Sequence, residues 1–318
     1  MAERNMAEFV FHLVYHYMDG DDKRAMLETF PFLSPEFVLI YHNHLSKQID
    51  HYTRWEYPPY RYSDDESFCN IYDWLVSKYP RVNLRIDLEY VSPTLVHFFK
   101  PRDMRNVGAL KFISIDFENL SDWLPRFSDL EALDISYCSD LLDLSALASL
   151  SCLRKLDASH CGCLRSVSGV ESLTSLEELN LRSCMCFSDF PSIDHLTKLQ
   201  NLDLSYCRYL DEIPSLSGCR ELRFLDISRC DNIEFIPPLS SLANLETLAI
   251  SSCKEITTIP SLQGLTKLRI LDLAYNKNLT QIPSLEGLTE LKELRISGCT
   301  GLETIPSNHD YPGLNIKN

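Results

Sequence analysis

The cysteines are the residues of this chain best suited to chemistry, because thiolates bind metal ions and thiols can oxidise to disulfides. Two close pairs, Cys161 with Cys163 and Cys184 with Cys186, approach the spacing of metal-binding thiolates. Seven of the 12 cysteines, however, fall on one grid with a period of 23 residues, together with one asparagine. The grid consists of Cys138, Cys161, Cys184, Cys207, Cys230, Cys253, Asn276 and Cys299. One cysteine of each close pair belongs to it, so we predict a structural role and neither a metal site nor disulfides.

Motifs of catalytic sites are missing from the sequence. It contains no glycine-rich phosphate loop, no G-x-S-x-G and no H-E-x-x-H. His12 and His16 lie one helical turn apart, but no cysteine or acid at ligand spacing accompanies them. We therefore predict that the chain is not an enzyme, with no catalytic residues, no metal and no cofactor.

The elements that position the grid follow from the leucines before it. A leucine lies five residues before each grid position, from Leu133 to Leu294, and the pattern L-x-L is typical of a half-buried strand. Leu271 and Leu273 would then point inward, and Asp272 and Ala274 outward. Later apolar residues recur every three positions, which favours 3₁₀ turns. Prolines argue against long helices there, at Pro191, Pro214, Pro237, Pro260, Pro283 and Pro306.

The repeated unit, L-x-x-L-x-L-x-x-C-x-x-L-x-x-I-P-x-L-x-x-L, is matched by residues 268–288 with Asn276 in place of the cysteine. It resembles the leucine-rich repeat family over roughly residues 107–311. The resemblance implies an α/β solenoid, a horseshoe with a concave parallel β-sheet and a convex side of short 3₁₀ turns and loops. It also implies that the grid side chains, here called the ladder, cap backbone groups at each bend. We predict five segments: a helical region (1–50), a proline-rich acidic linker (51–65), irregular capping coils (66–127), the repeats (128–311) and a C-terminal tail (312–318).

The N-terminal region predicts three short helices, the third running from Ser34-Pro35 to about Lys47. Three helices ahead of leucine-rich repeats resemble an F-box. The resemblance implies that this region docks on an Skp1-type adaptor through Phe9, Leu13, Tyr17 and Leu27. A plain helical cap of the array, or a host-specific domain, is the alternative.

Charge and composition limit the partners. The net charge is −15, and residues 1–106 carry 12 basic and 16 acidic side chains, so most of the excess acid lies in the repeats. An acidic surface argues against nucleic acid and favours a neutral or basic protein partner. No apolar run approaches the length of a membrane span, and the first residues lack a signal-peptide core. We therefore predict an intracellular chain, cytoplasmic or nuclear, without a membrane partner.

The predicted binding surface is the concave face, meaning the exposed face of the sheet with the turn that ends each strand. Its outward columns contain acidic, aromatic and basic side chains of the kinds that anchor interfaces. The candidates are Asp134, Tyr137, Asp157, His160, Arg182, Asp203, Tyr206, Phe224, Asp226, Arg229, Asp272 and Tyr275. We predict protein recognition through this face, in one of two settings. One is a substrate adaptor of a cullin-type ubiquitin ligase; the other is a stand-alone scaffold or immune-type recognition protein.

Overall fold

A single parallel sheet runs through the part of the chain that the computed structural model describes, which is residues 36–42, 73, 83–89, 104–105, 107–113, 124–306 and 311–318. The sheet has 12 strands there, and their spatial order is their order in the chain. The strands are β1 (Glu36–His42), β2 (Asn83–Glu89), β3 (Val107–Ile113), β4 (Ala132–Asp134), β5 (Lys155–Asp157), β6 (Glu178–Asn180), β7 (Asn201–Asp203), β8 (Phe224–Asp226), β9 (Thr247–Ala249), β10 (Ile270–Asp272), β11 (Glu293–Arg295) and β12 (Asn315–Lys317). The predicted solenoid with a parallel sheet is confirmed.

Register is constant through the repeats because each coil has the same length. Leu202 of β7 pairs with Leu225 of β8, which pairs with Leu248 of β9, and the neighbouring pairs follow the same 23-residue step. In β8 the central leucine is buried and the two flanking residues are half-buried. One face of every short strand therefore lies on the core, as the alternation in L-x-L predicts.

Short 3₁₀ segments form the side opposite the sheet. Three are regular 3₁₀ helices: η1 (Leu124–Arg126), η2 (Ser145–Ser149) and η3 (Val170–Ser172). Elsewhere the same turn persists as single bonds, in which the N–H of Leu242 donates to Leu239 O and that of Leu245 to Leu242 O, both at 2.9 Å. These bonds join residues three apart, so the predicted 3₁₀ character is confirmed.

The N-terminal prediction is wrong at one described element. Residues 36–42, expected in a third helix from Ser34 to about Lys47, form β1 and pair in parallel with β2. The segment EFVLIYH is rich in β-branched and aromatic residues, which favour strands. Pairing with β2 therefore outweighs the helix-start signal of Ser34-Pro35. The docking candidates Phe9, Leu13, Tyr17 and Leu27 lie outside the described residues, as does the linker at 51–65.

The C-terminal segment also differs from the sequence-based prediction. Residues 312–318, expected to be a tail, include β12, which pairs with β11 through Leu294 and Ile316. Ile316 provides the apolar contact that a repeat leucine provides elsewhere, since it packs partly buried against the core. The weak repeat pattern near Tyr311 therefore conceals a further turn of the solenoid.

The ladder caps the bends as the resemblance implied. Thiols of six ladder cysteines, Cys161, Cys184, Cys207, Cys230, Cys253 and Cys299, lie 2.9–3.2 Å from a carbonyl oxygen 26 residues earlier in the chain. Each acceptor is the residue that follows a strand in the preceding coil. Asn276 does more, because its amide donates to Ile250 O and Leu273 O and accepts from the N–H of Cys253. The ladder thus satisfies polar groups that would otherwise be buried without partners.

Native ladder thiols should resist alkylation. Cys207 and Cys230 are fully buried, and burial raises the pKa of Cys207 to about 12. Because the thiolate is the reactive form, both inaccessibility and the raised pKa slow the reaction. We expect iodoacetamide to modify Cys163 and Cys186, which are exposed, within minutes, and Cys207 and Cys230 only after denaturation. Site-resolved mass spectrometry would measure this, and equal native rates for Cys207 and Cys186 would contradict it.

Candidate binding face

Aspartates at the strand ends have a structural role that the sequence analysis missed. The Oδ1 atom of Asp203 accepts the backbone N–H of Ser205 at 2.8 Å, and Asp226 accepts that of Ser228 at 2.8 Å. The same bond, between residues two apart, recurs at Asp134, Asp157, Asn180 and Asp272. These side chains form Asx turns that end the strands. One carboxylate oxygen of each aspartate is therefore committed to the backbone. The second oxygen is bound by Lys111 at Asp134, by Asn180 at Asp157 and by Arg295 at Asp272.

The residue before each ladder position is left-handed, and in seven coils it is not a glycine, so its backbone is strained. Tyr137, His160, Ser183, Tyr206, Arg229, Ser252 and Tyr275 all have φ between 60 and 65°. Residues other than glycine rarely adopt this left-handed conformation, which costs about 1–2 kcal/mol. The N–H of each donates to a carbonyl of the next coil, as Tyr206 N does to Ser228 O at 2.7 Å, so the sheet network holds the strain. Gly298 at the same column was the signal in the sequence that could have revealed it.

The column between the strand-end aspartates and the left-handed residues consists mainly of serines, and most of its members lie inside the protein. Ser136, Ser159, Ser205 and Ser228 are 0–8% exposed, and Ala274 in the same column is 7% exposed. The prediction that Ala274 points outward is therefore wrong. The tight turn set by the Asx bond and the left-handed residue covers this column. Three members of the same column are half-buried instead: Arg182, whose long side chain reaches the surface, and Ser251 and Ser297.

Two aspartates face each other in adjacent strands. Asp203 and Asp226 are paired residues of β7 and β8. Burial, and then the nearby charge of Asp203, raise the pKa of Asp226. Asp134 behaves in the opposite way: burial alone would raise its pKa, but hydrogen bonds from Lys111 and Ser136 lower it. The middle of the face therefore carries one carboxylate, that of Asp226, whose ionisation destabilises the fold.

Neutralising Asp226 should stabilise the protein, because its charge is disfavoured first by burial and then by Asp203. Like charges on directly opposed residues cost about 0.2–1 kcal/mol, and Asp226→Asn removes one while keeping the Oδ1 acceptor. Because the folded-state pKa of Asp226 is raised, its penalty appears as pH rises from the ordinary aspartate value of 3.8 through that raised pKa. We expect urea melts to show a gain for Asp226→Asn at about pH 7 that disappears near about pH 3.

Asp272→Asn is the matched control for this change. Asp272 occupies the equivalent strand end but forms an ion pair with Arg295 at 3.0 Å. Its neutralisation therefore removes an attraction and should bring no gain. A gain for Asp226→Asn that is equal at both pH values would show that the charge of Asp226 is not its source.

Aromatic side chains lie along the left-handed column. Tyr137 stacks on His160 with ring centroids 4.5 Å apart and an interplanar angle of 5°. Tyr275 lies over Gly298, where an added Cβ would come within 2.6 Å of its ring. Tyr137 and Tyr275 are each 60% exposed, as predicted, whereas Tyr206 is half-buried. The face thus presents two open tyrosines and one that is enclosed.

Tyr206 is enclosed by two arginines. The Cζ atom of Arg182 lies 4.7 Å from the centroid of the Tyr206 ring, and that of Arg229 lies 5.0 Å from it. Phe224, also predicted as an exposed anchor, is half-buried in β8 between Asn201 and Thr247 of the adjacent strands. The predicted residues at the centre of the array are therefore brought together as one cluster of Arg182, Tyr206 and Arg229, beside the opposed pair Asp203 and Asp226.

A second aromatic surface lies away from the sheet and was missed. Phe235 is 75% exposed and lines a shallow groove with Glu212, Glu234 and Pro237. In the other coils the corresponding position is polar, as at Asp189, Glu212 and Thr258. A phenylalanine at a position that is otherwise polar was the feature of the sequence that could have identified this surface. The groove around Phe235 is therefore the alternative binding surface that a binding experiment must test beside the concave face.

The repeat region matches a family model described as a leucine-rich repeat region over residues 134–312. The chain belongs to the leucine-rich repeat family. A comparison with curated proteins gives no significant match to the sequence of this leucine-rich repeat chain.

Solved structures similar to the leucine-rich repeat chain include an internalin (InlF) of Listeria monocytogenes. It shares 19% identity over 74% of this chain and 79% of its own, with a TM-score of 0.44. The leucine-rich repeat domain of the type III effector XopL shares 16% identity over 93% of this chain and 80% of its own, with a TM-score of 0.42. The Arabidopsis receptor kinase HAESA, solved with the peptide hormone IDA and a co-receptor, shares 23% identity over 67% of this chain and 40% of its own, with a TM-score of 0.44.

Two further properties concern the described part of this leucine-rich repeat chain alone. Its helices are too short or too polar to cross a bilayer. No three histidine, cysteine or acidic side chains among the described residues are grouped so that they could hold a metal ion.

Proposed function

We propose that this leucine-rich repeat chain recognises a protein ligand through its concave face. The observation that carries the proposal is the left-handed column, which holds Tyr137, Tyr206 and Tyr275 beside the sheet at a cost in backbone strain. Strain retained at defined positions is typical of functional surfaces. Aromatic and arginine side chains are the usual anchors of interfaces, and this column supplies both.

The ligand in this proposal is neutral or basic overall. Asp203 and Asp226 each keep one carboxylate oxygen that no described residue binds, and they lie at the middle of the array. Carboxylates at such positions accelerate encounter with a basic segment more than they strengthen the complex. We place the protein in a reducing compartment, a proposal supported by the use of buried thiols as ladder donors.

Paired alanine substitutions at the centre of the face test the proposal. A partner would be isolated with the native chain, purified and then measured by calorimetry. We expect Tyr206→Ala with Phe224→Ala to weaken binding by at least about 2 kcal/mol, because these side chains contribute apolar contact area at the array's centre. Asp203→Asn with Asp226→Asn should mainly slow association and reduce its dependence on salt.

Substitutions outside the sheet face are the controls. Phe235→Ala removes an aromatic of comparable size from the lateral groove, and Lys277→Glu changes charge on the convex side. Neither should alter affinity. If Phe235→Ala or Lys277→Glu abolished binding while the aromatic pair left it unchanged, the ligand would bind elsewhere.

The adaptor setting is the finer form of this proposal. Here residues 1–50 would dock on an Skp1-type adaptor while the repeats hold the substrate of a cullin-type ubiquitin ligase. Its support is the resemblance of Phe9, Leu13, Tyr17 and Leu27 to an F-box, and β1 in place of the third helix weakens it. Co-elution of the purified chain with an Skp1-type adaptor is the test; separate elution would leave the stand-alone recognition protein.

A further inference from the structure

We propose that Arg182, Tyr206 and Arg229 form a carboxylate-binding subsite, which receives one acidic side chain of the protein ligand. The two guanidinium carbons lie 4.7 and 5.0 Å from the centroid of the same tyrosine ring. The three residues come from three successive coils, so the subsite exists only in the stacked array. The inference rests on the proposed function, because it specifies one chemical group of the ligand.

Charge pairing distinguishes these two arginines from the other cations of the sheet. Lys111, Lys155 and Arg295 each contact a carboxylate of an adjacent coil at 2.8–3.0 Å. Arg182 instead donates from Nη1 to the neutral Ser205 Oγ at 3.0 Å, and Arg229 contacts the Tyr206 ring. Neither guanidinium forms an ion pair with any described residue. Asp226 lies near enough for the charge of Arg182 to offset part of the rise in its pKa, but neither arginine forms an ion pair with it, so the two guanidinium groups can still attract an added anion.

The geometry suits a carboxylate in particular. A guanidinium presents five N–H donors in a planar fork that matches the two oxygens of a carboxylate. Among the described residues, the one hydrogen bond formed by either guanidinium is that of Arg182 to Ser205, so the remaining N–H groups have no protein acceptor. The Tyr206 ring also restrains both side chains before binding, so less conformational entropy is lost on complex formation.

Nearby acids limit the charge that the subsite accepts. Asp203 and Asp226 lie at the ends of β7 and β8, immediately before the turns that hold Tyr206 and Arg229. A run of acidic residues or phosphates would be repelled by them, whereas a single carboxylate between basic neighbours would meet opposite charge at each position. The subsite therefore specifies a ligand segment in which one acidic residue is flanked by basic ones.

A pair of synthetic heptapeptides tests this subsite without the natural partner. Both have blocked ends and two lysines; one carries glutamate between them and the other glutamine. Binding is followed by NMR from the arginine Nε–H resonances, which report affinities as weak as about 1 mM. We expect the glutamate peptide to bind at least about 10-fold more tightly than its twin and to shift the resonances of both Arg182 and Arg229.

Three variants locate the effect. Arg182→Gln with Arg229→Gln should remove the preference for glutamate, and Arg182→Lys, which keeps the charge without the fork, should reduce it. Arg269→Gln is the matched control, because Arg269 is already paired with Glu246 and Glu290. This variant should leave the preference for glutamate intact. Thermal melts confirm that each variant is folded.

The subsite is overturned if the glutamate peptide does not bind, if the twins bind equally, or if the preference survives in the double variant. These results are independent of the natural partner. A failed peptide assay removes the subsite alone, whereas intact partner affinity in the Tyr206 and Phe224 double variant removes the proposed function.

Discussion

Leu225→Ala should lower the free energy of unfolding by about 2–5 kcal/mol, the usual range for emptying a buried leucine site. Leu225 is fully buried and lies between Leu202 and Leu248, which are also fully buried. The cavity therefore weakens two coil interfaces at once, and a rigid stack has little freedom to close around it. Urea denaturation followed by circular dichroism would measure the change.

Leu294→Ala is the matched comparison, since it removes the same atoms from the same repeat position. Leu294 is also buried, but one of its strand partners is Ile316, which is only partly buried, as are the nearby Leu291 and Leu302. In a solenoid each coil is stabilised only by its neighbours, so damage near a weakly packed end costs less. A larger destabilisation by Leu294→Ala than by Leu225→Ala would contradict this nearest-neighbour view.

Gly218→Ala should destabilise the protein by about 3 kcal/mol, near the upper end of the range for overpacking. A Cβ on Gly218 would lie 1.5 Å from the carbonyl oxygen of Asp194 and 2.9 Å from its Cα. Both are backbone atoms, so no side-chain rotation relieves the clash. The shift would also disturb the carboxylate of Asp194, which accepts hydrogen bonds from Ser215, Ser217 and the N–H of Gly218.

Gly162→Ala controls for the loss of glycine itself. Gly162 also lies in a turn of the array, but its added Cβ would meet no atom within 4 Å and its φ lies outside the left-handed range. Alanine there should be neutral or stabilising by up to about 1 kcal/mol, because it restricts the unfolded chain. Thermal melts of the two variants side by side give the comparison; equal stability would mean that the coils separate easily at Gly218.

The repeats were predictable because every coil places the same residue types at the same positions. The period of 23 residues predicts the strand register, the apolar spacing of three within each coil predicts the 3₁₀ turns, and the family resemblance implies the capping ladder. Prediction failed where the period is absent. In β1 the cap signal at Ser34-Pro35 is local, whereas pairing with β2 depends on a segment about 47 residues later in the chain. A local pattern cannot report that contact.

The sequence predicted which residues lie on the binding face, but it did not predict what their side chains and backbone do there. Sequence columns identified the aspartates as exposed charge, yet one oxygen of each is used in an Asx turn that depends on a neighbouring backbone N–H. Enclosure of Tyr206 depends on arginines 24 residues before and 23 residues after it, whose side chains converge only when the coils stack. Strain at Tyr206 is likewise a property of the backbone, and Gly298 alone hinted at it.

The tyrosines of the left-handed column are evenly spaced along the array. Tyr137, Tyr206 and Tyr275 are separated by 69 residues in each step, which is three coils. At about 4.8 Å between neighbouring strands, successive tyrosines are about 14 Å apart along the array. An extended chain covers that distance in about four residues. A ligand segment lying along the array would therefore meet a tyrosine at every fourth residue, which gives the face a repeat of its own that is longer than the coil.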